Sequence, residues 1–565
     1  MAAGKLILKK NDRVVFLGDS ITEQQLYTNY VETYLASRYP QLNLSFFNAG
    51  WGGDTAPGGV RRLERDVLSL NPTVVTLCYG MNDGRYGPPI PEVIEPYVAG
   101  MKDLVRRLRT AKVRVVLMTP GIVDSDRNAA LKPVNYNETT LRQLAEVVLE
   151  LAAAEKLPVT DIHQLMTDVN AKARAADPAF TMIPDSIHPD PAGHLVMAFG
   201  LLQALGVPPF QATLDLDLAA GTAAGSDGVT VSGLQRTEHG HEFRLTLPHL
   251  PFFVEPAARK ILPFLPFQET FNRLTLTCHG ATSAQYSFKS GGTRTDAVAR
   301  AALEAGIPLQ ALWSFGPVAA AGRVLDFTRE KDQIYYRLWR TVALQGSSGG
   351  EFLTPAHEAA RETAPVLERA RAAIVKAGIG PFTVKLVAMD IPGELLDDGD
   401  FIRSWSVRGP FPSTPATDST DFLGGEAALT AASPTLPADW SAQDLDTIIP
   451  SKALITIFGP IENCCAYLLT ILESPVAQDA ELRIGSDDGF ALWLNGAAVT
   501  DQLALRRGLA VDADRVPVRL RQGANALLLK VSQGGGDWGV CARFAGLKKS
   551  VIARRAAKAS GVRSP

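Results

Sequence analysis

Between residues 13 and 207, short apolar runs alternate with longer amphipathic ones. The pattern predicts strands at 13–17, 42–47, 73–79, 114–118 and 158–161. It predicts helices at 22–38, 60–70, 92–109, 139–154 and 191–205, the last with Pro191 in its first turn. The stretch TVVTLCY at 73–79 is continuously apolar and rich in β-branched residues, as a strand buried on both faces must be. Strand–helix alternation of this kind predicts a parallel sheet covered by helices on both faces.

The texture changes at Pro208. Residues 212–295 are rich in Thr, Gly and Leu in alternating patterns and read as short antiparallel strands. Residues 296–380 turn helical and contain a charged, alanine-rich run at 355–376 that reads as a packed helical hairpin. Residues 381–546 are β-rich. GSDDGFALWLNG and VPVRLRQGANALLLKVS each join alternating strands through tight-turn residues, as β-sandwich strands do. The expected organisation has an α/β domain at 1–207, a mixed α+β middle region at 208–390, a β-sandwich at 391–546 and a solvated basic tail at 547–565.

Three glycine-marked loops follow predicted strands directly: Gly18-Asp19-Ser20, Asn48 to Thr55, and Gly80 to Asp83. In a parallel α/β sheet these loops converge on one rim, where ligands bind. A fourth stretch, PDSIHPD, precedes the last helix and carries Asp185 and His188. Taken alone, Gly-Asp-Ser is a turn and a helix N-cap. With the other three stretches it forms a nucleophile set. Ser20 needs a base, His188 supplies one, and Asp185 orients the imidazole. The Ser20 and Gly53 backbone N–H groups and the Asn82 amide are candidate oxyanion donors. Trp51 and Tyr79 flank these loops and are candidates for lining an acyl or sugar subsite, with core packing as the other reading. Asp19 reads as a turn and helix-start residue rather than an acid catalyst, and Asp54 and Asp83 read as residues that fix loop backbone through hydrogen bonds.

Ser20 in GDSI, Gly53 in GGDT, Asn82 in GMND and the Asp185/His188 pair in DSIH resemble, in order, the four motif blocks of the SGNH (GDSL-type) hydrolases. The resemblance covers about residues 10–207. It implies a three-layer, flavodoxin-like domain with Ser20 as nucleophile, His188 as base, Asp185 as its orienter, and Ser20, Gly53 and Asn82 as the oxyanion hole. GSDDGFALWLNG resembles PA14-like β-sandwich modules, and the whole layout is similar to multidomain SGNH esterases that act on polysaccharides. Asp487 and Asp488 then read as a calcium or sugar site or as a plain hairpin turn. Trp493 and Trp538 read as sugar-stacking residues or as core.

The expected activity is hydrolysis of short-chain acyl esters, above all O-acetyl groups on a polysaccharide of the xylan or pectin type, without metal or organic cofactor. Two alternatives stay open. One is a general short-chain carboxylesterase or lipase-like enzyme, and the other is a carbohydrate-binding scaffold with an inactive hydrolase domain. The formal net charge of −3 gives no electrostatic case for nucleic acid as a partner. No apolar run reaches the ~20 residues that span a bilayer. Five cysteines do not make a disulfide framework, and no zinc-type spacing occurs. The first ten residues carry no apolar signal core. The expected location is secreted or periplasmic, with the signal outside this sequence, and a cytoplasmic location stays open.

Overall fold

The computed structural model describes residues 5–557 apart from 291, 341–349, 391–392, 415, 432–435 and 446–449. The chain divides into two compact units, Met1–Ala388 and Met389–Pro565.

The first unit opens with a five-stranded sheet. Its strands are β1 (Arg13–Gly18), β2 (Ser45–Gly50), β3 (Val74–Cys78), β4 (Arg114–Met118) and β5 (Val159–Thr160), in the order β2-β1-β3-β4-β5 and all parallel. Alternate side chains serve opposite faces, as the two-residue strand period requires. Val14, Phe16, Val116 and Met118 belong to one apolar cluster; Val15, Leu17, Val115 and Leu117 belong to another. The first cluster is completed by α2 (Leu26–Arg38), α6 (Ile162–Ala176) and α7 (Pro191–Ala204). The second is completed by α3 (Ala56–Asp66), α4 (Pro91–Thr110) and α5 (Arg142–Glu155).

The helix expected at 22–38 is two helices. A short α1 (Ser20–Glu23) is separated from α2 by Gln25, whose φ of +64° breaks the helical path. A further helix, α6, follows β5 directly.

The middle of the chain builds two more sheets. β6 (Gln211–Asp217), β7 (Thr222–Gly225), β10 (Arg273–His279) and β14 (Ile307–Pro308) form one. β8 (Thr230–Thr237), β9 (Gly240–Thr246), β11 (Gln285–Ser290), β12 (Thr293–Arg294), β13 (Val298–Ala299) and β15 (Phe382–Ala388) form the other. The expectation of purely antiparallel strands is corrected here: β6 and β10 run parallel, which the alternating pattern of each strand cannot reveal because it carries no direction. The helices α8 (Phe267–Phe271) and α9 (Arg300–Ala305) are short. The helices α10 (Gly316–Leu338) and α11 (Gly350–Gly378) pack as a hairpin.

This region shares its core with the α/β layers. Phe252, Val254, Phe267, Phe271 and Leu325 sit in the same apolar cluster as Tyr30, Tyr34 and Phe199. A buried charge cluster adds to the join. Glu32 of α2 pairs with Lys331 of α10 and Arg371 of α11, and Asp332 lies 3.0 Å from the Lys331 ammonium. Buried charges persist only when paired.

The second unit contains β16 (Glu394–Leu396), β17 (Ser404–Pro412), β18 (Ser441–Asp444), β19 (Cys464–Ser474), β20 (Gln478–Ser486), β21 (Phe490–Leu494), β22 (Ala497–Asp501), β23 (Asp514–Leu520), β24 (Gly523–Gln533), β25 (Val540–Ala545) and β26 (Val551–Arg554). They form an eight-stranded and a three-stranded antiparallel sheet. Leu468, Leu529 and Val531 of the larger sheet share one apolar cluster with Ile484, Val518 and Phe544 of the smaller. Trp538 is fully buried in it and stacks on Phe458, so it is core and not a sugar platform. The basic tail starts later than expected, because β26 pairs with both β16 and β19 and buries Val551 and Ala553. Its charged flanks mask the two apolar positions in the sequence. Lys558 and Arg563, read as part of that tail, lie outside the described residues. All five cysteines are free and buried.

Candidate active site

The turn after β1 places Ser20 at the first position of α1, whose N-cap is Asp19. The Asp19 carboxylate accepts from the Ile21 N–H at 3.0 Å. First-turn N–H groups have no partner within their own helix, so the Ser20 N–H remains a donor for something else. Burial pushes the Asp19 carboxyl up to about 7, against the opposing bond from Ile21 and with the charges of Asp83 and Asp54 adding to the rise.

Ser20 Oγ lies 2.8 Å from His188 Nε2. His188 Nδ1 lies 2.7 Å from Asp185 Oδ2. With the Nδ1 proton directed at Asp185, Nε2 is left to accept from the serine hydroxyl. Asp185 also accepts from the backbone N–H groups of Ile187 at 2.9 Å and His188 at 2.6 Å. Burial works against its ionised form, but those two N–H groups and the imidazole outweigh it and hold the carboxyl below its ordinary range. The site is open: the Asp185 side chain is 55% exposed and the His188 side chain 30%.

The loop carrying this pair is fixed from below. Ser186 adopts φ +77°, and its carbonyl accepts from Asp124 N–H at 2.9 Å. The Asp124 carboxylate accepts from Arg174 Nη2 and Thr181 Oγ1, each at 2.7 Å. Asp190 then caps α7 through Ala192 and Gly193.

The other two loops are tied to the first. Arg62 of α3, buried, donates to Gly18 O at 3.0 Å, Ala49 O at 2.7 Å and Asp54 Oδ2 at 2.7 Å. Trp51 N–H donates to Gly18 O at 3.1 Å, and Asn82 Nδ2 donates to Asp54 O at 3.0 Å. The Asn82 amide oxygen accepts from Tyr86 Oη at 3.1 Å, so the amide is oriented from both ends and keeps a second N–H. Asp83 accepts from Ala56 N–H at 2.8 Å. Gly53 takes φ +73°, where an L side chain is strained, and a methyl there would meet open space.

The structure therefore brings Ser20, His188 and Asp185 into one hydrogen-bonded relay and ties the loops of Gly53 and Asn82 to the Ser20 turn. Tyr79 departs from its expected place. It is 1% exposed and donates to Asp54 Oδ2 at 2.8 Å, so it supports the loops from inside and lines nothing. Trp51 is half-buried at the loop edge. Arg62 and Tyr86 escaped the sequence reading. The only signal for Arg62 is an arginine on the apolar face of an amphipathic helix. A surface groove of about 800 Å³ between α4 and α5 contains none of the candidate residues. Among the described residues no three His, Cys, Asp or Glu side chains converge as a metal set, and no helix is long and apolar enough to cross a membrane.

A parallel α/β layer with a Ser-His-Asp relay at the carboxyl ends of its strands is the layout of a serine hydrolase. Residues 16–196 match the GDSL-like lipase/acylhydrolase family, so the chain carries a GDSL/SGNH hydrolase domain. Over 216 residues it is 25% identical to an acetylxylan esterase from Geobacillus stearothermophilus, covering 34% of this chain and 94% of that protein. A solved structure of a gut microbial diltiazem-metabolizing enzyme shares the fold over 69% of this chain and 100% of its own, with a TM-score of 0.58 and 22% identity. The crystal structure of the acetylxylan esterase covers 35% of this chain and 96% of its own, at 24% identity and a TM-score of 0.29.

Proposed function

We propose that this protein is a serine esterase that removes short acyl groups, above all O-acetyl groups, from a polysaccharide of the xylan or pectin type. The observation that carries the reading is the relay Ser20 Oγ–His188 Nε2–Asp185, at 2.8 and 2.7 Å. Ser20 Oγ attacks the ester carbonyl carbon while His188 Nε2 takes its proton. The resulting oxyanion is held by the Ser20 and Gly53 N–H groups and the free N–H of Asn82. The C–O bond to the sugar breaks, and imidazolium returns the proton to the leaving alkoxide. Water then gives a proton to His188 and attacks acetyl-Ser20, and acetate leaves as Ser20 recovers its proton.

The likeness to an acetylxylan esterase supports acetyl as the group removed, and the open site suits a polymer. We place the catalysis in residues 1–207, the support of its loops in 208–390, and a β-sandwich that holds the polymer in the second unit.

The test is acetate release from a panel of acetylated polysaccharides and a small aryl acetate, with wild type beside Ser20→Ala. Serine-dependent acetate from one polymer is the expected result. Turnover of the aryl ester alone keeps the serine chemistry and discards the polymer. No serine-dependent release from any substrate discards the esterase.

A further inference from the structure

Trp339 and Arg340 directly follow α10 and lie outside residues 16–196, the stretch matched by the hydrolase family. Both nevertheless reach the catalytic loops. The Arg340 guanidinium sits 3.7 Å over the Trp51 ring. Its Nη2 donates to Glu23 Oε1 at 2.6 Å, and its Nε donates to Tyr336 Oη at 3.1 Å. Tyr336 in turn donates to Glu23 Oε1. Trp339 meets Trp51 edge to face at 5.9 Å and donates to Asp66 at 3.3 Å.

Two of the partners of Arg340, Glu23 and Trp51, belong to the machinery around the nucleophile. Glu23 ends the helix that Ser20 begins. Its second oxygen faces the next loop, since a methyl on Gly52 would lie 2.8 Å from Oε2. Trp51 opens the turn that carries Gly53, with its N–H on Gly18 O and its carbonyl accepting from Asp54 N–H at 3.1 Å. One side of that turn is thus held by backbone bonds, and the other by a cation stacked on the indole and paired to Glu23. The placement of Arg340 is itself fixed, because a slip of α10 along α2 would strand the buried Glu32 carboxylate without Lys331.

We propose that Arg340 is a positioning residue for the Gly53 turn: the end of α10 holds that backbone N–H in place for the oxyanion. The inference rests on the esterase reading. A flexible loop would supply the same N–H less often in the productive geometry, so the loss falls on turnover and not on ground-state binding of a small ester.

The test uses the full chain with 4-nitrophenyl acetate and the variants Ser20→Ala, Arg340→Ala, Arg340→Lys and Glu23→Gln. Arg340→Ala is expected to lower kcat at least tenfold with KM within about twofold. Arg340→Lys keeps the charge but loses the planar stack on Trp51, so it recovers part of that loss. Arg340→Ala also opens Trp51 to acrylamide, raising the quenching of tryptophan fluorescence. Glu23→Gln retains the shape and is expected to lose about threefold in kcat; it carries the test if Arg340→Ala fails to fold. Arg340 variants equal to wild type, while Ser20→Ala is dead, overturn the positioning role and leave the esterase intact. A rise in KM confined to acetylated oligosaccharides makes Arg340 a sugar contact and also overturns it. Wild type no faster than Ser20→Ala overturns the esterase reading, and this inference with it.

Discussion

Asn82 is oriented by Tyr86 and Asp54 before any substrate arrives. An oxyanion donor fixed in this way acts without reorganising, so Asn82→Ala is expected to lower kcat by about 10²–10³ with little change in KM. Steady-state kinetics on an aryl acetate checks this, and an unchanged kcat removes Asn82 from the role. Asp19 makes a different prediction. Its folded-state carboxyl titrates near 7, above the ordinary 3.8, because it is buried. Between those values the native state holds a proton that the unfolded chain releases, so this group lowers stability as pH rises from about 4 to 7, and the loss levels off above. Asp19→Asn keeps an oxygen for the Ile21 N–H and has nothing to ionise. Its stability relative to wild type is expected to climb across that window, by a few kcal/mol at most, and denaturant unfolding at pH 4, 6 and 8 reads the difference. The relay residues were legible in the sequence because each sits in a short motif beside an element end, Ser20 just after β1 and Asp185 and His188 just before α7. Arg62 and Tyr86 were not, because their partners (two backbone carbonyls, the Asp54 carboxylate and the Tyr79 hydroxyl for Arg62, the Asn82 amide for Tyr86) come together only in the fold.

At the level of elements, close approach decides which glycines can change. A methyl on Gly50 would lie 2.2 Å from the backbone N of Glu23, where α1 crosses β2, and backbone cannot yield as a side chain can. A methyl on Gly53 meets nothing and suffers only from φ +73°. Gly50→Ala is therefore expected to cost on the order of 2–4 kcal/mol, and Gly53→Ala about 1–2 kcal/mol. Thermal melts of both variants separate the two effects. The strands of the parallel sheet were readable to within a few residues, since both-face burial leaves an unbroken apolar run. The split between α1 and α2 was not, because Gln25 gives no sign of a left-handed backbone. The same limit hid the direction of β10 against β6, which depends on a partner 62 residues away in register (Arg273 with Gln211).

For the whole molecule, the shift in composition at Pro208 does not coincide with a break in the core. Phe252, Phe267 and Phe271 fill the same cluster as Tyr34 and Phe199, and pairings that distant have no periodicity to betray them. Each apolar cluster falls wholly within Met1–Ala388 or within Met389–Pro565. Calorimetry of the full chain is expected to show two transitions. Arg62→Ala, which takes the cation from half-buried Asp54 and leaves it the Tyr79 hydroxyl, is expected to lower only one of them, by about 3 kcal/mol. A single transition that moves as a whole would mean that the units unfold together. Removing 389–565 is expected to leave hydrolysis of a small ester within about threefold. Ending the chain at 207 is expected to abolish it, because that cut exposes Tyr30 and Tyr34 and removes Lys331 and Arg371 from Glu32.

β26 lies between β16 and β19, and among the described residues it is the only strand that pairs with β16. The ribosome makes Leu396 and then 154 further residues before it reaches Val551, so the first strand of the second unit waits unpaired through nearly the whole synthesis of that unit. The first unit is complete once β15 has joined β9 and β11, and it can close while the second is still being translated. Nascent chains halted before residue 551 will therefore leave β16 and the facing edge of β19 unpaired, which makes them the species most open to edge-to-edge association.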